Sequence, residues 1–123
     1  EMILGIGTDI IEIERVRRAV SREHFRHRVF TETEQNYCES RGAQSAASYA
    51  ARFAAKEAFF KALGTGIVTN LTEVEIQNDA AGQPKIFLHG DAEILAAEKN
   101  IAQIFVSLSH SREYATAVAV LTD

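Results

Sequence analysis

Apolar and polar positions change their period several times along this chain, and each change marks an element. Residues 2–10 alternate as a strand does, with Gly5, Gly7 and Asp9 on one face and Leu4, Ile6, Thr8 and Ile10 on the other. The glycine face leaves room for something to approach the backbone closely. The period then lengthens, predicting a helix over 11–20 and a second, short one over 23–29. Thr31 and Glu34 form a capping-box signature for a helix to about Ser40, with Gly42 as its stop. Residues 43–63 hold the longest helical pattern, rich in alanine and ended by Gly64. Strand character returns at 73–77, 85–89 and 104–110, with turn chemistry across 78–84. Asp91 opens a helix over 91–100 as N-cap or first-turn acid. Ser111-Arg112-Glu113 then leads into a last strand over 114–121. Nearly every residue from Ala115 to Leu121 is apolar, which predicts cover on both faces. No repeat, linker or low-complexity segment intervenes. The prediction is one α+β domain over residues 1–123, a small, mostly antiparallel sheet packed on a long helix.

The long helix holds an anomaly. At about 100° per residue from Phe53, Tyr49 falls near −40° and Phe60 near −20°, an aromatic stripe expected to be buried. Glu57 falls at about +40°, beside that stripe, where a carboxylate must be neutralised, paired or bound to a metal. Lys61 lies one turn on, so an i,i+4 salt bridge at the edge of the core is the structural alternative. Asp9 also reads two ways. It can cap the following helix in a D-x-x-E box with Glu12, or it can converge with Glu57 on one hard cation. Mg²⁺ suits the second reading, since it takes one or two carboxylates plus substrate phosphates.

Composition removes several classes. Apolar residues make up 46% and charged residues 24% of the 123, which fits one soluble globular domain. No apolar run is long enough to span a bilayer and no signal-peptide pattern opens the chain, so a cytosolic protein without a membrane partner is expected. Met2 reads as the natural start, with Glu1 outside it. Cys38 is the only cysteine, which excludes an intrachain disulfide and a thiolate zinc cluster; its neighbours favour a structural thiol.

Charge is uneven. Residues 15–28 carry six arginines against Glu23, a local +5 that leaves −9 for the rest of a chain at −4. If residues 15–26 form one continuous helix, Arg15, Arg18, Arg22 and Arg26 make a single basic stripe within about 80°. A solvated face is the ordinary meaning of such a stripe. On an acidic protein it suggests an acidic partner or a phosphate ligand. Nucleic acid fits poorly, because only Phe25 interleaves with the arginines and the remaining surface repels phosphate. A non-catalytic module that holds an acidic helical partner would keep the stripe but would have no need of Glu57.

Four blocks carry a resemblance. Gly5-Ile6-Gly7-Thr8-Asp9-Ile10, Arg52-Phe53-Ala54-Ala55-Lys56-Glu57-Ala58, Lys61-Ala62-Leu63-Gly64-Thr65-Gly66 and Ser107-Leu108-Ser109-His110-Ser111 resemble the conserved blocks of bacterial holo-acyl carrier protein synthases, in that family's order. The F-x-x-K-E-A-x-x-K-A-x-G run is the specific one. The resemblance implies a 4′-phosphopantetheinyl transferase-like α+β fold working as a homotrimer, with active sites between protomers. It implies transfer of the 4′-phosphopantetheine group of coenzyme A to a serine of apo-acyl carrier protein, releasing 3′,5′-ADP, in fatty acid biosynthesis. Asp9 and Glu57 then match Mg²⁺ ligands, and Lys61 matches the lysine contacting the phosphates near the attacked phosphorus. Arg52 and His110, with Ser109 beside it, match the 3′-phosphoadenosine end, while Gly64, Thr65 and Gly66 match a loop against the nucleotide. Arg15, Arg18, Arg22 and Arg26 would meet the acidic carrier, Arg15 alternatively reaching coenzyme A or a neighbouring protomer's site. Glu57, a metal-bound water and His110 all remain candidates for the base. No G-x-S-x-G elbow supports a hydrolase around Ser109 and His110, and the glycine pairs make neither a G-x-G-x-x-G nor a Walker A loop.

Overall fold

The structure is a computed structural model that describes residues 1–123. Its elements are β1 (Ile3–Glu12), α1 (Ile13–Val20), α2 (Glu23–Val29), α3 (Glu32–Glu39), α4 (Ser45–Leu63), β2 (Val74–Asn78), β3 (Pro84–Leu88), α5 (Gly90–Glu98), β4 (Gln103–His110) and β5 (Tyr114–Thr122). The expected α+β architecture forms, but its strands divide between two antiparallel sheets. One has the order β1-β5-β4 and the other is the β2–β3 hairpin.

The glycines of β1 decide how the layers meet. A β-carbon on Gly5 would fall on the carbonyl oxygen of Ala62, and one on Gly7 on the carbonyl oxygen of Ala58. What approaches the glycine face is therefore α4 itself. The helix contributes Ala54, Ala55, Ala58 and Ala62 to the contact, and β5 answers with Ala117 and Ala119, all buried. Small residues on both sides bring two backbones close enough to exclude water along the crossing. The C-terminal half of α4 thus packs on the three-stranded sheet and on Val74 and Ile76, and its N-terminal half packs under α1, α2 and α3.

Two readings change. β1 runs on to Glu12 because Ile10, Ile11 and Glu12 pair with Thr116, Ala115 and Tyr114 of β5. Asp9 therefore lies inside a strand and caps nothing; α1 starts after Glu12 with no side-chain cap. Of the two readings of residues 11–29, the separate helices form and the continuous basic helix does not, since α1 ends at Val20 and Arg22 is extended before α2. Within one chain β5 is covered on one face only. Ala115, Ala117, Ala119 and Leu121 are buried, whereas Val118 and Val120 belong to a face that nothing in the chain covers. On that face Ile6, Val120 and Phe105 stand in one row, with Ile6 68% and Phe105 53% exposed.

The capping box forms as expected: Glu34 N–H donates to Thr31 Oγ1 (3.2 Å) and Thr31 N–H to Glu34 Oε1 (2.9 Å). Glu34 also has a second role. It is fully buried, 2.8 Å from the equally buried Lys56, and its other oxygen accepts from Ile76 N–H (2.8 Å). Lys56 Nζ completes its shell on the carbonyls of Leu71 (2.9 Å) and Val74 (2.8 Å).

Candidate active site

The crossing of β1 and α4 that the glycines permit also sets the side chains beyond it. Asp9 is the next residue after Gly7 on the same strand face, and Glu57 and Lys61 lie on the adjacent stripe of α4. All three line a depression of about 450 Å³ with Ile10, Ile11, Glu12, Arg15, Phe53 and Tyr114. Lys61 Nζ is 3.0 Å from Asp9 Oδ1, so its partner is the strand aspartate rather than Glu57. Phe53 and Glu57 are only half-buried, while Tyr49 and Phe60 are fully buried. The stripe Phe53-Glu57-Lys61 is thus the open row of a helix buried on its other sides.

Glu57 is strained electrostatically. Burial, and then the charge of Asp9, raise its carboxyl above the ordinary range against the opposing pull of Lys61. Two carboxylates facing one space, one of them costly to ionise, suit a divalent cation. No group of three or more His, Cys, Asp or Glu side chains is arranged to hold an ion. Two protein carboxylates completed by ligand phosphates fit Mg²⁺, which rarely takes an all-protein cage.

Arg15, Arg18 and Arg22 line a groove of about 510 Å³ whose floor includes Val16, Ala19, Phe25 and Phe53. Ile11, Arg15 and Phe53 border both this groove and the carboxylate depression, so the two adjoin. Arg26 stands apart from the other three arginines. Its guanidinium bonds the carbonyl of Val20 (2.7 Å) and Gln35 (3.2 Å), closing the end of α1 rather than facing the groove.

Arg52 and His110 come together, but elsewhere. They share a smaller depression of about 200 Å³ with Tyr37, Arg41 and Asn78. Arg52 is five positions before Glu57 on α4, about 140° round the helix, and points to another side of the molecule. Its guanidinium lies 4.2 Å from the centre of the Tyr37 ring and donates to Asn78 (2.5 Å). Its Nε is the one buried side-chain polar atom without a partner. Ser109 projects from β4 opposite to His110, onto the uncovered sheet face beside Thr116. Gly64 and Gly66 have φ of 78° and 72°, so the loop after α4 takes turns that other residues adopt only with strain.

Sequence reasoning missed Glu12 and Tyr114, which the β1–β5 register places opposite each other at the depression. It also gave Lys56 no role. The projection used for Glu57 puts Lys56 at about −60°, deeper among the aromatics than Glu57, so the signal was present. Cys38 behaves as a structural thiol: it is fully buried, and burial pushes its pKa up.

A family model for the 4′-phosphopantetheinyl transferase superfamily matches residues 5–119. The holo-acyl-carrier-protein synthase of Ruminiclostridium cellulolyticum is 50% identical over 99% of this chain and 92% of its own. The chain belongs to the holo-acyl-carrier-protein synthase family. Solved members share its fold: the Neisseria meningitidis synthase superposes with a TM-score of 0.91 at 33% identity, covering 99% of this chain and 100% of its own. The Bacillus anthracis synthase, solved in complex with CoA (3′,5′-ADP), gives 0.80 at 36% identity, covering 98% and 97%. As a member of this family the chain is an α+β protein, and no helix in it is long and apolar enough to cross a membrane.

Proposed function

We propose that this chain, a single transferase domain over residues 1–123, moves the 4′-phosphopantetheine group of coenzyme A onto a serine of apo-acyl carrier protein, in the cytoplasm and for fatty acid biosynthesis. Beyond family membership, one observation carries the reading: the arginine-rimmed groove adjoins the depression that holds Asp9, Glu57 and Lys61. A carrier held by its acidic surface in the first would present its serine to the second.

Asp9 and Glu57 would hold Mg²⁺, which when bound neutralises charge on the pyrophosphate oxygens of coenzyme A. Lys61 turns from Asp9 to the phosphates as the ligand enters and stabilises charge in the transition state. The serine oxygen bonds to the β-phosphorus, the bond from that phosphorus to the bridging oxygen breaks, and 3′,5′-ADP leaves. The serine proton goes to a base. Of the side-chain candidates only Glu57 lines the depression, and His110 would reach it from a second copy.

Two features support that second copy. The exposed row of Ile6, Val120 and Phe105 makes an apolar sheet face that a monomer would leave in water. Arg52 and His110 form a cationic depression separate from the carboxylates, and the unpartnered Arg52 Nε suits a phosphate. In a homotrimer with buried sheet faces, the Arg52–His110 depression of one protomer meets the Asp9–Glu57 depression of the next around one coenzyme A, with residues 64–66 against its nucleotide. Mass spectrometry of apo-carrier protein incubated with this chain and coenzyme A tests the activity. A phosphopantetheine mass gain dependent on Mg²⁺ is expected; an unmodified carrier with bound coenzyme A would reduce the chain to a binding module. Sedimentation of Phe105→Lys should give an inactive monomer, and a fully active wild-type monomer would count against the shared site.

A further inference from the structure

The buried lysine of the specific family run takes no part in that mechanism, yet it has the most complete hydrogen-bond shell of any lysine in the chain. Lys56 is 0% exposed, and its ammonium reaches Glu34, the Leu71 carbonyl and the Val74 carbonyl. Two of those partners lie at the returning end of the loop that leaves α4. From 65 to 69 this loop makes no backbone hydrogen bond to any other residue. Its internal contacts are hydroxyls of Thr65 and Thr69 on adjacent carbonyls. Ile67 and Val68 lie open to solvent. The loop is therefore held at its two ends. Gly64 N–H bonds the carbonyls of Phe60 and Lys61 at the departing end. At the returning end, Lys56 ties Leu71 and Val74 back to the same helix.

We infer that Lys56 is a positioning residue for coenzyme A, clamping the far end of the 64–70 loop to α4 so that the loop closes over a set distance. The step from loop to ligand rests on the reading above that residues 64–66 lie against the nucleotide; the clamp itself does not. Both loop ends are referenced to the helix that carries Glu57 and Lys61, so loop and phosphate-handling groups keep one geometry. With the clamp lost, the loop samples conformations that coenzyme A must first reselect, which weakens binding of that substrate. Docking of the carrier on the α1 groove is unaffected, because neither Leu71 nor Val74 lines it.

The test compares Lys56→Met/Glu34→Gln, which removes the clamp without leaving a lone buried charge, with Lys56→Gln, which keeps a shorter donor. Hydrogen exchange of residues 65–73 and both substrate KM values are measured on the full-length protein. The double variant should exchange faster across 65–73 and raise KM for coenzyme A about tenfold, with KM for the carrier unchanged within about twofold. Lys56→Gln should shift both readouts the same way and by less. If the double variant fails to fold, Lys56→Gln decides alone. Wild-type exchange in a folded variant overturns the clamp. Faster exchange with an unchanged KM for coenzyme A overturns the loop's contact with the nucleotide, and with it the positioning role. A parallel rise in both KM values also overturns it, by showing general loosening.

Discussion

Two lysines five positions apart on one helix each pair with a carboxylate from another element, and the two pairs differ in almost everything but residue type. Lys56 and Glu34 are both fully buried and 2.8 Å apart, with Thr31, Leu71, Val74 and Ile76 supplying the remaining hydrogen bonds. Lys61 and Asp9 are 3.0 Å apart with side chains 55% and 15% exposed, and Glu57 adds a second carboxylate without a lysine of its own. The first pair is complete, so anything added to it has no partner left. The second has one cation for two carboxylates and an open side. Closed, fully bonded charge holds elements together, whereas open charge with an excess of one sign is ready for a ligand.

The sharpest way to break that contrast is to neutralise each site. Asp9→Asn and Glu57→Gln should each lower transfer by about 10³-fold or more with the fold intact. Glu57→Gln should melt no lower than wild type, since it removes a carboxylate that the fold raises in pKa. Near-normal activity of either variant in excess Mg²⁺ would remove the metal assignment. Lys61→Ala should cut kcat about 10²-fold with a small change in coenzyme A binding, at a stability cost below about 1 kcal/mol. Lys56→Met alone should instead cost about 3–5 kcal/mol, because Glu34 is left buried and unpaired. Melting curves that ranked the two lysines equally would erase the distinction.

Gly7→Ala probes the crossing that creates the open pair. Its β-carbon has no space against the Ala58 carbonyl, so about 1–3 kcal/mol should be lost. A melting temperature equal to wild type would mean that β1 and α4 are less closely seated. Charge reversal at Arg18 or Arg22 should raise KM for the carrier about tenfold, leave that for coenzyme A alone, and fade as salt screens exposed charge. Arg26→Glu should chiefly lower the melting temperature, since Arg26 bonds Val20 and Gln35. Equal effects of all three on carrier KM would restore the continuous stripe.

The smallest effect concerns pH. Burial alone would raise the Glu75 carboxyl, but hydrogen bonds from Thr31, His89 and Gln77 overcome it and hold the pKa below the ordinary carboxylate range. A depressed pKa stabilises the fold above the unfolded value and loses that contribution as pH falls through the folded one. Thermal melts from pH 6 downward should therefore decline more steeply in wild type than in Glu75→Gln; parallel slopes would assign the acid sensitivity to other groups.

Much of this chain could be read before it was folded, because the signals were local. The Thr31–Glu34 box, the end of α4 at Gly64, the turn across 78–84 and the break between α1 and α2 each depend on a few neighbouring residues. That Asp9 and Glu57 line one depression was legible in the residues and again in the resemblance, whereas the placing of Arg52 and His110 in a depression of their own was not. What only the tertiary structure decided was which partner each charge took. Lys61 met Asp9 rather than Glu57, Arg26 turned back onto Val20, and Glu34, read as a helix cap, also became the counterion of a buried lysine. Periodicity tells how a side chain is directed on its own element, but an ion pair forms between elements. Here the crossing of β1 and α4, set by the absence of two β-carbons at Gly5 and Gly7, fixed the partners of Asp9, while the packing of α3 and β2 against α4 fixed those of Lys56.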